Sequence, residues 1–133
     1  GRVLAFNKTE AACFKCHAVA GLGGEAGPDL AGIGKRRSRE YLLEAVVTPN
    51  KHMAAGFESV IVTTKDGTIH GGVLKKETPI TLDVLSPETG RVVIKKADIK
   101  LRERGASGMP DGYGDILTRR ELRDLIEYLA SLR

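Results

Sequence analysis

The sequence predicts an α+β chain, in which a small all-α domain formed by residues 1–56 and 105–133 is interrupted by an inserted antiparallel β unit at residues 57–104. Three observations carry this expectation. Apolar residues recur with a helical period near the end of the chain, and the middle of the chain gives up that period for β-branched alternation. The third is size: with the β stretch set aside, the flanking parts amount to one very small helical domain whose two halves stay in sequence order.

Taken along the chain, Val3, Leu4 and Phe6 read as a short helix leading to Cys13. Beyond His17, glycine crowds the sequence at Gly21, Gly23, Gly24, Gly27, Gly32 and Gly34, which excludes a regular helix there and marks a loop. Ser38 caps a helix over 39–47 that Thr48-Pro49 stops. Short strands follow at 58–64, 68–75, 80–85, 91–95 and 98–103. Asp66-Gly67 reads as a two-residue hairpin turn, and Pro87 to Gly90 as a second turn. Gly71 and Gly72 permit the bend of a small closed barrel. The strand rhythm and the Gly72-Val73-Leu74 element resemble an Sm-like or SH3-like barrel, with a bare twisted sheet as the simpler alternative. The last helix, 118–132, carries the clearest signals. Thr118 and Glu121 form a capping box, Leu117 and Leu122 a hydrophobic staple, and Leu122, Leu125, Ile126 and Leu129 one buried stripe beside Tyr128.

Composition sets limits. The 133 residues exclude a long multidomain enzyme, and no apolar run approaches the ~20 residues of a membrane span. A net charge of +4 is a mild bias toward acidic partners and gives no expectation of nucleic acid. Aromatics are 5% of the chain with no Trp, so the helical domain needs something else to fill its core. The start GRVLAFNKTE lacks an export-signal pattern, and a beginning at Gly1 suggests a piece of a longer precursor.

The cysteines are the most informative residues. Only Cys13 and Cys16 exist, and His17 follows at once, giving C-F-K-C-H, the haem attachment string. The spacing suits two thioether bonds to one haem, with the adjacent imidazole reaching the iron. The alternatives are a disulfide redox pair, or a zinc site completed by His17 with His52 or His70.

With G-P-D-L at Gly27 to Leu30 after C-x-x-C-H, the chain resembles a class I cytochrome c. The resemblance implies that the Pro28 carbonyl accepts from the free ring nitrogen of His17, which tunes the ligand's basicity. It also implies a meeting of Phe6 with Tyr128 where the first and last helices cross. The whole order (C-x-x-C-H, GPDL-x-GIG, helix, TPN, β insert, M-P, last helix) is similar to the C-terminal haem-binding domain of large dehydrogenase-like proteins of planctomycetes and related bacteria.

The sixth iron ligand has two candidates. Met109, in G-A-S-G-M-P just before the last helix, sits as the distal Met does in class I cytochromes. Met53, after the Pro49 stop, is expected to pack as an apolar side chain. His52 is an outside candidate, and both it and His70 are expected to serve no ligand role. In the basic cluster Lys35, Arg36, Arg37 and Arg39, the resemblance implies a partner for a haem propionate, and Arg36 is assigned that role. The rest reads as a solvated face or a docking patch for an acidic redox partner.

The function expected is therefore a monohaem c-type cytochrome, not an enzyme. It would carry one covalent haem c, with iron held by His17 and Met109, and pass single electrons to a redox partner protein or domain such as a dehydrogenase. The resemblance implies a periplasmic or otherwise extracytoplasmic location. Two alternatives stand beside it: a haem sensor or peroxidase-like enzyme with an open sixth position, and a docking module acting through the β insert.

Overall fold

The computed structural model describes Arg2 and residues 11–133. The short helix expected at Val3, Leu4 and Phe6, and the Phe6–Tyr128 contact, lie outside the described residues. The chain divides into two compact units, one holding the chain up to His52 together with Met109–Arg133, the other Met53–Gly108. Secondary structure is mixed α/β, with a two-stranded and a five-stranded antiparallel sheet.

Among its described residues, the first unit has a 3-10 turn at Cys13–Lys15 and then the small hairpin β1 (Ala18–Val19) and β2 (Leu22–Gly23). Helices α1 (Ile33–Arg36) and α2 (Arg39–Val47) follow, and α3 (Tyr113–Ile116) and α4 (Arg119–Ser131) complete it. Ser38 caps α2 by accepting the Tyr41 N–H at 3.3 Å. At α4, Thr118 Oγ1 accepts from the Glu121 N–H at 3.2 Å while Glu121 Oε2 accepts from the Thr118 N–H at 2.9 Å, so two orphan donors are satisfied reciprocally. Leu125, Ile126 and Leu129 of α4 pack with Leu42 and Val46 of α2, with Tyr113, Leu117 and Ala11, into one core. The glycine-rich segment corrects the expectation of a plain loop, because it ends in α1. Gly34 is needed there for close approach: its N–H donates to the Leu132 carbonyl at 2.9 Å, and a Cβ would collide with the Ala130 carbonyl.

The second unit is built from β3 (Ser59–Thr64), β4 (Ile69–Glu77), β5 (Thr81–Ser86), β6 (Gly90–Lys95) and β7 (Ile99–Arg104), in the order β6-β5-β4-β3-β7. A 3-10 turn at Lys96–Asp98 joins the two outer strands. Val60, Val62, Leu82, Val84 and Ile94 form its core, with Val62 and Leu82 at 0% exposure. The β3–β4 turn differs from the two-residue turn read from Asp66-Gly67. Thr64 and Thr68 close a three-residue loop: the Thr64 N–H donates to Thr68 O and the Gly67 N–H to Thr64 O, both at 2.9 Å, and Gly67 takes φ 89°. The Asp66 carboxylate accepts from the Thr64 hydroxyl and from the Thr68 N–H, which fixes this longer loop and lowers its pKa to about 2.

At the end of β4, Glu77 takes both Arg102 guanidinium nitrogens at 3.0 and 3.2 Å and the Lys96 ammonium at 2.8 Å. The hydrogen bonds from Arg102 and Lys96 bring its carboxyl from 4.5 to about 2. The unfolded chain binds this proton more readily, so the stabilisation is complete above the ordinary carboxylate range and is lost as pH falls from there to about 2. In urea titrations of the full chain, the unfolding midpoint of the β unit should drop across that interval. Glu77→Gln should shallow the drop, and a profile identical to wild type would contradict the assignment.

Candidate functional site

Ala12 adopts a left-handed conformation, φ 37°, and turns the chain into the 3-10 turn that carries Cys13. The Cys16 and His17 N–H groups both donate to the Cys13 carbonyl, at 3.2 and 2.9 Å, so the two sulfurs and the imidazole leave one tight turn. Both thiols are free and half-buried. Burial pushes each of them up, against an opposing pull from Lys15 on Cys16.

The His17 ring lies under the loop that follows. Burial lowers its pKa, while the Pro28 carbonyl pulls the other way, so the ring is held neutral. Nδ1 donates to Pro28 O at 2.7 Å, which leaves the Nε2 lone pair for a metal. The loop is pinned over the motif by the Gly24 N–H on Phe14 O at 2.9 Å, the Gly27 N–H on Cys16 O at 2.7 Å, and the Leu30 N–H on Ala18 O at 2.8 Å. Gly27 has to be glycine: a Cβ there would stand 2.5 Å from His17 Cε1.

The other residues named from sequence are placed as follows. Arg36 is exposed, and its guanidinium donates to the Asp29 carbonyl at 3.2 Å, directly after Pro28. Met109 is half-buried and packs against the helical core, as do Cys13, Phe14, Leu30 and Ile33. Met53 belongs to the other unit. His52 is exposed, 3.6 Å from the Glu44 carboxylate, and His70 stands in β4. Among the described residues no three His, Cys, Asp or Glu side chains converge as a metal site, so the zinc alternative finds no ligand set there. Sequence reasoning missed Tyr113. It is 8% exposed and donates its hydroxyl to the Ala11 carbonyl at 2.9 Å, and the signal was an aromatic just after Met109 in an aromatic-poor chain.

Residues 5–72 of the chain match the cytochrome c family. The chain belongs to that family. The match takes in the Cys-x-x-Cys-His string and Gly-Pro-Asp-Leu and runs on into β4, while Met109 and α4 lie beyond it. No curated protein matches the chain. Cytochromes c are haem-binding electron-transfer proteins, and their domains are typically extracytoplasmic. Among the described residues no helix is long and apolar enough to cross a membrane. The family's group is covalently bound haem c, and the residues present fit it. Two accessible thiols share one turn, a neutral imidazole keeps Nε2 available, and Phe14, Leu30, Ile33 and Met109 supply apolar side chains beside them.

Gly27 has no positive φ, so Gly27→Ala is allowed by the backbone and acts only through its collision with the imidazole. Co-expressed with a haem maturation system, this variant should carry markedly less covalent haem per chain than wild type. Gly71→Ala, where a Cβ meets open space, is the control and should load normally. Equal haem content in both variants would mean that the loop yields to the methyl group.

Proposed function

We propose that this cytochrome c is a monohaem electron carrier with haem c bound through Cys13 and Cys16 and with His17 Nε2 and the Met109 sulfur as axial ligands. The observation that carries this reading is the His17–Pro28 hydrogen bond, which leaves one defined nitrogen for iron and raises its basicity. Bound haem supplies a one-electron iron couple. The chain's own residues attach it, orient its proximal ligand and shield one side with apolar groups. The packing of Met109 against the same core as Cys13 supports it as the sixth ligand. Arg36, held by the Asp29 carbonyl, is the residue assigned to a propionate. The partner is a redox protein or domain, a dehydrogenase by the likeness to the planctomycete-type C-terminal domains, and neither nucleic acid nor enzymatic turnover is part of the role. The location proposed is periplasmic, where thioether attachment of haem in bacteria takes place.

We infer in addition that the β unit is an inserted small barrel, Sm-like or SH3-like. Its core members all come from its own strands, and the full burial of Val62 and Leu82 supports a sheet that curls on itself. Further support comes from Glu77 of β4 reaching Arg102 of β7. The Lys96 N–H on Ile80 O and the Lys65 N–H on Asp98 O, both 2.8 Å, also draw the 3-10 turn against two loops.

The deciding experiment combines mass and spectrum. Denatured wild-type chain should be heavier than the apo chain by one haem, and its oxidised form should show the near-infrared band of Met-to-Fe(III) charge transfer. Met109→Ala should remove that band, lower the potential and admit carbon monoxide to the reduced iron, and Met53→Ala should do none of these. A wild type without the band that binds carbon monoxide readily is instead a sensor or peroxidase-like protein.

A further inference from the structure

Among the described residues of the helical unit, Tyr113 is the buried residue with a polar side-chain atom, and electron transfer as proposed leaves it without a role. Its place is specific. It opens α3 four residues after Met109, where Gly112 at φ 99° turns the Met109 loop into the helix. Its hydroxyl reaches across 102 positions of sequence to the Ala11 carbonyl at 2.9 Å. Ala11 is 2% exposed, and the next residue is Ala12, whose left-handed φ of 37° is unfavourable for a residue with a Cβ. Such a conformation persists only where its surroundings over-determine it. Here the buried Ala11 and its bond to Tyr113 supply that constraint, one residue before the turn that carries Cys13. Burial pushes the phenol up, so it stays protonated and hence a donor.

We propose that Tyr113 is a positioning residue for the sixth iron ligand: its hydroxyl ties the loop bearing Met109 to the backbone just before Cys13, and this tie keeps the Met109 sulfur on the iron. The inference rests on the His17 and Met109 ligation proposed above. Loss of the hydrogen bond frees the loop at its α3 end, while the ring continues to fill the core. The bond is worth about a five- to tenfold bias in the closed-to-open equilibrium of the loop.

The haem-loaded full chain tests this. In Tyr113→Phe the near-infrared Met-to-Fe(III) band should be lost on heating well before helical circular dichroism, and carbon monoxide should bind the reduced form about five- to tenfold faster than in wild type. Leu125→Ala, a packing change in the same core, should lower the unfolding temperature with the band disappearing only on unfolding. If Tyr113→Phe behaves as Leu125→Ala does, Tyr113 is structural and the proposal is overturned. A wild type that shows the band, with Tyr113→Phe unchanged in every readout, overturns the positioning role alone. A wild type without the band removes the ligation reading and the proposal with it. Should Tyr113→Phe fail to take up haem, the wild type still decides. Imidazole added to the ferric protein displaces Met109, and by reciprocity of coupling the Tyr113 hydroxyl proton should then exchange several-fold faster by NMR. Exchange unaffected by imidazole overturns the proposal.

Discussion

A buried imidazole has two nitrogens with different needs, and the site is organised around meeting both. Nδ1 has to donate and Nε2 has to stay open, which requires an acceptor that brings no competing donor. Pro28 meets that requirement, because proline offers a carbonyl and has no N–H. Its carbonyl reaches Nδ1 at 2.7 Å only because Gly27 leaves room for the ring. The bonds from Gly24, Gly27 and Leu30 back to Phe14, Cys16 and Ala18 then hold the loop in that place. The crowding of glycine in this stretch follows from the same constraint: Gly23 and Gly24 face the His17 and Lys15 carbonyls with no space for a side chain.

The two units solve the problem of small size differently. The β unit builds an aliphatic core from its own strands, ties the β3–β4 turn with the Asp66 carboxylate, and links strands through the Asp83–Arg91 and Glu77–Arg102 pairs. The helical unit has a core of Leu, Val, Ile and Ala with one tyrosine, and Cys13, Phe14, Leu30, Ile33 and Met109 are only partly buried against it. Domains this small commonly need a staple beyond their hydrophobic core. A flat apolar group fixed by two covalent bonds is such a staple, and it cuts the freedom of the chain at the segment where Ala12 is already held in an unfavourable conformation.

What was legible in the sequence was what local chemistry decides. The Ser38 and Thr118 caps, the stop at Pro49 and the β-branched alternation located α2, α4 and the five strands to within a residue or two. Helices α1 and α3 were not legible, since four residues give no period to detect and each begins after a left-handed glycine. Asp66-Gly67 marked the right turn with the wrong length, because the aspartate's bonds to Thr64 and Thr68 favour a three-residue loop. At the site, Cys13, Cys16, His17 and Pro28 lie within one short stretch and could be read together. Tyr113 could not, since its partner is a backbone carbonyl 102 positions away that no side-chain pattern records.

The β unit stands in the chain between the half carrying His17 and the segment carrying Met109, and its topology limits what that costs. Its first and last strands are neighbours: β3 and β7 pair antiparallel, Val60 opposite Arg104, and the Gly105 N–H donates to Ser59 O at 2.9 Å. The β unit therefore begins and ends at neighbouring points of one sheet, so closing it costs about as little chain entropy as closing a short loop. Pairing of β3 with β7 ends beside Gly105, four residues before Met109. Four residues after Met109, the bond from Tyr113 to Ala11 ties the segment to the helical unit. Besides Met109, the residues between Gly105 and Tyr113 are Ala, Ser, Gly, Pro and Asp, so the methionine is the one bulky apolar side chain this segment brings to the helical core, and its place there is held by bonds on the α3 side, from Tyr113 to Ala11 and from Asn50 to Asp111 at 2.7 Å.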